Sequence, residues 1–293
     1  MAHVVLFKNA NFHGDHKHVV APEPNLNASD DHGFNDAVSS LVVLDGNWRF
    51  YVDSGFKNPY PVVLGPGLYP SVTAVKIGND SMSSLQPTEE AATVKGTEFH
   101  AHAILFKDAN YVGDHKHVFA AEPNLNASDD SSFNDAVSSL AILNSNWEFY
   151  SNSGFQAPYK ASVGHGDLVL GPGGLPYVAN IGIKNDDMSS LQPVTAGSNG
   201  AHLQAIQQGV ILFENAAFHG NHKHVMMANG NLNSSVDSSF NDKTSSIAVL
   251  SSTWAFYKDS GFRTLMGQLG PGAYPSVTAV GIANDALSSL QPV

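Results

Sequence analysis

The segment Asn35-Asp36-Ala37-Val38-Ser39-Ser40 is the first of six copies of the motif Asn-Asp-x-x-Ser-Ser. The other copies span residues 79–84, 134–139, 185–190, 241–246 and 284–289. Four positions in every copy carry a small side chain with an oxygen atom, and Ca²⁺ is bound by carboxylate, hydroxyl and carbonyl oxygens. The motif therefore predicts calcium sites. The residues at the first and second positions are Asn35, Asp36, Asn79, Asp80, Asn134, Asp135, Asn185, Asp186, Asn241, Asp242, Asn284 and Asp285.

The sequence around these motifs is repeated three times. The stretch from Phe7 to Val19 returns with few changes at residues 106–118 and 213–225. Repeats of this kind indicate homologous structural units, and we expect three domains at residues 1–88, 102–194 and 209–293. We call these the first, second and third repeats. Each contains two halves, because Tyr51 follows Phe7 by 44 residues and both open the same pattern.

The local signals indicate β-structure throughout. Short segments such as 4–7, 40–44 and 48–51 are rich in branched or aromatic residues and are bounded by Gly, Pro, Asn and Asp. The fold class predicted is therefore all-β, with sandwich domains. Trp48, Trp147 and Trp254 are expected to anchor the cores, with carbohydrate stacking as the alternative.

Together these motifs resemble those of the βγ-crystallin superfamily, and specifically its calcium-binding microbial branch. The aromatic pair Phe7/Phe12, the following Gly14 and the Asn-Asp-x-x-Ser-Ser loop carry the resemblance, as do Trp48 to Tyr51 and Leu64 to Tyr69. The resemblance covers nearly the whole chain. It implies six Greek-key motifs paired into three tandem βγ-crystallin-like domains.

The resemblance also implies how the ions would be held. In such domains the third motif residue offers its backbone carbonyl and the fifth its hydroxyl, and a carbonyl just after the first aromatic of the partner half completes the site. At the third and fifth positions stand Ala37, Ser39, Ser81, Ser83, Ala136, Ser138, Asp187, Ser189, Lys243, Ser245, Ala286 and Ser288. The partner carbonyls are those of Lys8, Val52, Lys107, Ser151, Glu214 and Lys258.

Formal charge predicts differences among the six sites. Each site has fewer carboxylates than an EF-hand, so we expect dissociation constants on the order of 10⁻⁶ to 10⁻³ M. Asp187 adds a carboxylate to one loop, which we expect to be among the strongest. Lys243 adds a positive charge to another, which we expect to be among the weakest.

One feature departs from the family pattern. The glycine two residues after the second aromatic is present in the first halves, as Gly14, but Asn58, Ala157 and Thr264 replace it in the second halves. A positive backbone φ favours glycine. We therefore expect that hairpin to be reshaped in the second halves.

Composition excludes several functional classes. The 293 residues carry a formal net charge of −12, which disfavours nucleic-acid binding. There is no cysteine, so disulfides, thiolate nucleophiles and Cys-ligated metals are excluded. No stretch is long and apolar enough to span a membrane. Known catalytic motifs are absent, which predicts that the protein is not an enzyme. The compartment stays open between the cytosol and secretion with a leader removed.

The function predicted is that of a calcium-binding structural or stress-related protein, a monomer with up to six Ca²⁺ ions. The alternative is a protein- or glycan-binding module, such as an inhibitor, toxin or lectin, in which calcium only braces the loops. Each motif could also be an Asx turn without an ion. The His-x-His pairs, as in His16-Lys17-His18, could bind a transition metal or form an exposed strand face.

Overall fold

The computed structural model describes residues 1–29, 33–98, 100–128, 133–161, 166–195, 203–204, 206, 209–233 and 240–293. The chain divides into two compact units. Unit 1 contains residues 1–98, 209–233 and 239–293, and unit 2 contains residues 99–208 and 234–238. The first and third repeats therefore lie in one unit. Their division into separate domains at 1–88 and 209–293 stays a prediction, as does the domain at 102–194.

Regular structure in the described residues is strand or short 3-10 helix, which confirms the all-β prediction. The first repeat has β1 His3–Phe7, β2 His16–Val19, β3 Ser40–Asp45, β4 Asn47–Asp53, β5 Lys57–Leu64, β6 Gly67–Tyr69 and β7 Ser84–Thr88. The second has β8 His102–Asp108, β9 Val112–Val118, β10 Ser139–Asn144, β11 Asn146–Asn152, β12 Gln156–Pro158, β13 Val169–Leu170, β14 Gly173–Leu175 and β15 Ser190–Val194. The third has β16 Val210–Phe213, β17 His222–Val225, β18 Ser246–Val249, β19 Trp254–Asp259, β20 Arg263–Leu269, β21 Gly272–Tyr274 and β22 Ser289–Pro292. The 3-10 helices are Ala10–Phe12, Val72–Val75, Val178–Ile181, Ala216–Phe218 and Val277–Val280.

Two antiparallel sheets form each repeat, and the halves exchange strands between them. In the first repeat the sheets have the orders β2-β1-β3-β6 and β5-β4-β7. Strand β6 belongs to the second half but pairs with β3 of the first. In the opposite direction, Glu23 of the first half forms a β-bridge with Leu85 of the second. Neither half can therefore complete its sheet alone.

The second and third repeats follow the same plan. Strand β14 pairs with β10, and β21 pairs with β18. Glu122 bridges Leu191, and Asn229 bridges Leu290. The sequence repeat is thus also a repeat of the strand exchange.

The space between the two sheets of each repeat is filled by large apolar side chains. Trp48, Trp147 and Trp254 are fully buried, which confirms their prediction as core anchors and leaves no exposed indole face for carbohydrate stacking. Each indole N–H donates to a backbone carbonyl at 3.1–3.2 Å, so its one polar group is satisfied.

The sixth motif residue has a purely structural role. Ser40 is fully buried, its hydroxyl donates to the Asn9 carbonyl at 2.6 Å, and it accepts the Phe12 N–H at 3.0 Å. Phe12 has a φ of 67°, a conformation that is rare for an aromatic residue. The two hydrogen bonds hold this strained turn in place. We call the six equivalent residues the sixth-position serines: Ser40, Ser84, Ser139, Ser190, Ser246 and Ser289.

The left-handed backbone persists where glycine is replaced. Asn58, Ala157 and Thr264 have φ values of 52°, 54° and 55°. Replacement of glycine therefore does not change the backbone conformation at this position, although in the described residues of the first and third repeats only the first-half hairpin contains a 3-10 helix. Two of the substituted side chains donate a hydrogen bond to a nearby carboxylate: Asn58 to Asp53, and Thr264 to Asp259. These bonds offset part of the strain.

Within unit 1 the first and third repeats are in contact. Val20 of the first repeat packs with Ile211, Phe213, Phe218 and Ala248 of the third. This apolar cluster explains why the two repeats form one compact unit.

A buried polar contact accompanies this apolar cluster. The Glu23 carboxylate lies 2.9 Å from His219 Nε2 of the third repeat and 3.7 Å from Lys17 Nζ. Burial raises the pKa of Glu23, but the His219 hydrogen bond and the Lys17 charge outweigh burial and hold that pKa below its ordinary value of 4.5. The carboxylate is therefore ionised in the folded protein at neutral pH.

We predict that Ser40→Ala lowers the free energy of unfolding by about 2 kcal/mol or more. The change leaves a buried N–H and a buried carbonyl without this partner, and each orphaned group costs about 1–3 kcal/mol. Denaturant unfolding in the presence of a chelator measures the loss. The matched control is the neighbouring Ser39→Ala, which removes a hydroxyl that is only half-buried and should cost less. Equal losses for the two variants would contradict the structural role of Ser40.

We predict that the Glu23–His219 contact couples the first and third repeats in a pH-dependent way. A double-mutant cycle of Glu23→Gln and His219→Gln should give a coupling of about 1.5–3 kcal/mol at neutral pH, as for hydrogen bonds to charged groups. Because the folded pKa of Glu23 is depressed, this stability is present above pH 4.5 and is lost as the pH falls further. Unfolding measured across this range tests both statements. A coupling near zero at neutral pH, or one that is unchanged in acid, would refute the prediction.

Candidate functional site

Each of the six motif loops has the same local geometry. The second-position aspartates have left-handed φ values of 48–53°. The amide of the preceding asparagine donates to Oδ2 of that aspartate at 2.6–2.7 Å, as in the pairs Asn35/Asp36 and Asn79/Asp80. Asn and Asp tolerate this conformation better than most residues. The loop therefore fixes the carboxylate with one oxygen bonded locally.

The two loops of a repeat face each other. Ser39 Oγ of the first loop lies 3.3 Å from Asp80 Oδ1 of the second. Four further serine–aspartate pairs lie 3.2–3.5 Å apart across the halves: Ser138/Asp186, Ser189/Asp135, Ser245/Asp285 and Ser288/Asp242. Five of the six fifth-position hydroxyls are thus matched with the carboxylate of the other half.

At the remaining pair, Ser83 and Asp36, the backbone makes the same hydrogen bond between the halves as in the other repeats. Asp36 N–H donates to the Met82 carbonyl at 3.1 Å, and in the second repeat Asp135 N–H donates to Met188 at 3.0 Å. All six loops therefore share one arrangement of the backbone.

Backbone hydrogen bonds link each fifth-position serine to the first aromatic of its own half. The Ser39 N–H donates to the carbonyl of Phe7, the first aromatic of its own half, at 3.0 Å. Ser83 does the same with Tyr51 at 3.1 Å. Lys8 and Val52, which follow these aromatics, therefore lie near the serine of their own half, and their assignment to the site of the partner half stays a prediction. The acidic side chain is what comes from the partner half.

Charged neighbours reduce the difference expected between the third-position residues. The Asp187 carboxylate lies 2.7 Å from Lys184 Nζ and 3.2 Å from the Tyr159 hydroxyl. The hydrogen bond to Asp187 raises the pKa of Lys184, so that lysine stays charged. Lys243 lies 3.4 Å from the carboxylate of Glu214. The extra charge is partly balanced in both loops, and the spread of affinities should be smaller than formal charge predicts.

Two of the three lysines at the partner-carbonyl positions, Lys8 and Lys107, have partners of their own. Lys8 Nζ lies 3.0 Å from Asp15, and Lys107 Nζ lies 3.1 Å from Asp114. Each ammonium also lies 5.2 Å from an aromatic ring centroid, that of Phe34 or Phe133. Their positive charges are thus engaged in other contacts, and only their backbone carbonyls remain candidates for the site.

The His-x-His pairs do not form an exposed face. His18, His117 and His224 are buried, and His16, His115 and His222 are half-buried. The alternative of an exposed strand face is therefore wrong. The sequence contains one signal for this burial: His3 precedes His18 by 15 residues, and His102 precedes His117 by the same interval. In both cases Nε2 of the first histidine is hydrogen-bonded to Nδ1 of the second, at 2.8 Å and 2.9 Å.

No helix in the described part of the chain has the length and apolar character needed to cross a membrane.

Comparison with known proteins identifies the family. The model of the Beta/Gamma crystallin family matches residues 3–88 and 209–293, which is more than half of the chain. The chain is 35% identical over 86 residues to a beta/gamma-crystallin of Ciona intestinalis, covering 29% of this chain and 98% of that protein. It is 27% identical over 258 residues to human beta/gamma crystallin domain-containing protein 2. That match covers 87% of this chain but only 14% of the length of the human protein.

A solved structure is similar to part of the chain. It is described as a transition-metal-ion-binding βγ-crystallin from Methanosaeta thermophila, with 38% identity and a TM-score of 0.27. The match covers 29% of this chain and 99% of that one. With the family model matched over both the first and third repeats, and with the Greek-key strand exchange present, the chain belongs to the beta/gamma-crystallin family.

Proposed function

We propose that this protein is a calcium-binding structural or stress-related βγ-crystallin, of the type found in the microbial calcium-binding branch, which Ca²⁺ stabilises. The observation that carries the proposal is the facing of serine hydroxyls and aspartate carboxylates across the two loops of each repeat. With two sites per repeat, the chain would bind up to six ions. A monomer with three domains is the form in which we expect it to act.

The separation of the facing oxygens suits calcium. Ca²⁺ holds oxygen ligands at about 2.3–2.6 Å, so neighbouring ligands around it lie roughly 3–3.5 Å apart. The serine and aspartate oxygens lie 3.2–3.5 Å apart before any ion is added. An ion could therefore bind with little movement of the loops, at the expense of one hydrogen bond between a serine and an exposed aspartate.

We propose that each calcium site takes ligands from both halves of its repeat. One site would take the Lys8 carbonyl and the Ser39 hydroxyl from the first half, and the Asp80 carboxylate and Ser81 carbonyl from the second. The Tyr60 hydroxyl donates to that Ser81 carbonyl at 2.7 Å, which orients it and leaves its second lone pair for an ion. The other site of the repeat would use the same positions with the halves interchanged.

Stabilisation follows from linkage between binding and folding. Because each proposed site draws ligands from both halves, unfolding the repeat separates them. An ion that binds only the folded state adds about 2.7 kcal/mol per site when its concentration is about 100 times its dissociation constant. A binding module for a protein or glycan would also bind calcium, and a ligand effect that survives complete chelation would distinguish it.

We predict that Ser39 and Asp80 are ligands of the same calcium site, whereas Ser39 and Asp36 are ligands of two different sites. In calorimetric titrations of chelator-stripped protein, Ser39→Ala and Asp80→Asn should each remove one ion, and the double variant should still remove only one. Ser39→Ala combined with Asp36→Asn should remove two. If the two double variants gave the opposite result, ligands would be shared within a loop and the proposed pairing would be wrong.

We predict that alanine at all six fifth-position serines abolishes calcium uptake and the rise in thermal stability that calcium produces. The variant replaces Ser39, Ser83, Ser138, Ser189, Ser245 and Ser288. The hydroxyl ligand is lost from every site, while the sixth-position serines keep the fold. Calorimetry and melting curves with and without calcium measure both effects. Uptake equal to that of the unmodified protein would refute the assignment of ligands.

A further inference from the structure

Four histidines of the first and third repeats lie together inside unit 1. His16 and His18 come from strand β2, and His222 and His224 come from strand β17. Alternate residues of a strand face the same side, so each His-Lys-His segment presents two imidazoles together. The contact between the repeats brings the two pairs into one group. We call these four residues the histidine cluster.

Three of the four histidines bring ring nitrogens close enough together to share one metal ion. The Nε2 atoms of His16 and His222 are 3.2 Å apart, and so are those of His18 and His224. One ring nitrogen from each of His18, His222 and His224 lies within 4.8 Å of the others. In tetrahedral coordination, metal–nitrogen bonds of about 2.0–2.1 Å put neighbouring nitrogens roughly 3.3–3.4 Å apart. The two short separations match this value.

The burial of the cluster favours an ion that dissociates slowly. His18 and His224 are 1% and 3% exposed, whereas His16 and His222 are half-buried. His18 and His224 are therefore desolvated and held by packing, and the half-buried His222 leaves a route from solvent. The rings of Phe7 and Phe213 lie 5.9 Å and 6.1 Å from His16 and His222, and restrict the rotation of those two imidazoles.

A fifth histidine supports one member of the cluster. His3 Nε2 lies 2.8 Å from His18 Nδ1, and both side chains are buried. When His18 donates its Nδ1 proton in this bond, its Nε2 presents a lone pair toward His224. Metal-binding histidines commonly use their second nitrogen in this way, which fixes the tautomer and the ring orientation.

We propose that His18, His222 and His224 of the histidine cluster bind one divalent transition-metal ion, such as Zn²⁺, and that this ion joins the first and third repeats, with His16 beside the site. Imidazole nitrogen favours Zn²⁺, Ni²⁺ and Cu²⁺, whereas the oxygen-rich motif loops favour Ca²⁺. The two kinds of site therefore select different ions. The ligands come from segments that are about 200 residues apart in the chain, so the ion would act as a non-covalent cross-link within unit 1.

The test is a titration of the chelator-stripped full chain with Zn²⁺ in saturating calcium, so that the motif loops are occupied. Co²⁺ is used as a spectroscopic substitute, because tetrahedral nitrogen ligation gives it a visible absorption. We expect one strongly bound ion and a higher melting temperature. Loss of an outer partner alone commonly costs about 10–100-fold in affinity, so removal of the ligand His222 together with its neighbour in His16→Gln/His222→Gln should weaken binding by about 100-fold or more.

Controls separate the site from general effects of mutation. His13→Gln changes a histidine of the first repeat outside the cluster and should leave the affinity unchanged. The variant lacking the six fifth-position serines should still bind Zn²⁺, so failure of the calcium proposal would be visible separately. Melting in chelator shows whether each variant folds, and the single variant His222→Gln replaces any double variant that does not. Absence of strong binding to the unmodified chain, or equal affinity in the double variant, would overturn the proposal.

Discussion

The hydrogen bonds of the sixth-position serines are the constraint on which the rest of each half depends. A buried hydroxyl donates to one turn of the hairpin and accepts from another, in all six halves. The turn it closes contains an aromatic residue at positive φ. In the first half this brings the rings of Phe7 and Phe12 to 5.8 Å, edge to face. The neighbouring Ser39 is then held against the Phe7 carbonyl, where its hydroxyl faces the other half. The loop geometry is thus set by a bond outside the proposed calcium ligands.

The amino-acid pattern was sufficient for the family, the β-class and the location of the loops. Six copies of a motif and three buried tryptophans at matching places are local signals, and the fold preserves them. The pairing of serines with aspartates of the other half could not be predicted from such local signals. Asp36 and Ser39 are three residues apart in the chain, yet each faces a residue of the other half. This follows from the exchange of β6 and the Glu23 bridge, which no spacing within one half encodes.

Formal charge leaves out the partners that neighbouring residues and the fold bring to these side chains. Asp187 and Lys243 differ by two formal charges, but each forms an ion pair. Asp187 pairs with Lys184, three residues before it, and Lys243 pairs with Glu214. The first of these could have been found from the sequence, since the two residues are close in the chain. The second required the fold. The burial of His18 likewise depends on contacts with a repeat that begins about 190 residues later, and only the His3 spacing gave a local indication of it.

The exchange of strands between halves also governs the order in which the chain can fold during synthesis. Strand β3 ends at Asp45, whereas its partner β6 begins at Gly67 and β7 ends at Thr88. Ribosomes add about 5–20 residues per second, so the first half would wait for roughly 1–5 s until β6 is made and its sheet can close. During that interval the outer edge of β3 has no partner from its own half, and an unpaired edge is a template for another chain. The Asp, Asn and Gly residues that border these strands would then serve the nascent protein as much as the finished one, by limiting the length of the exposed edge.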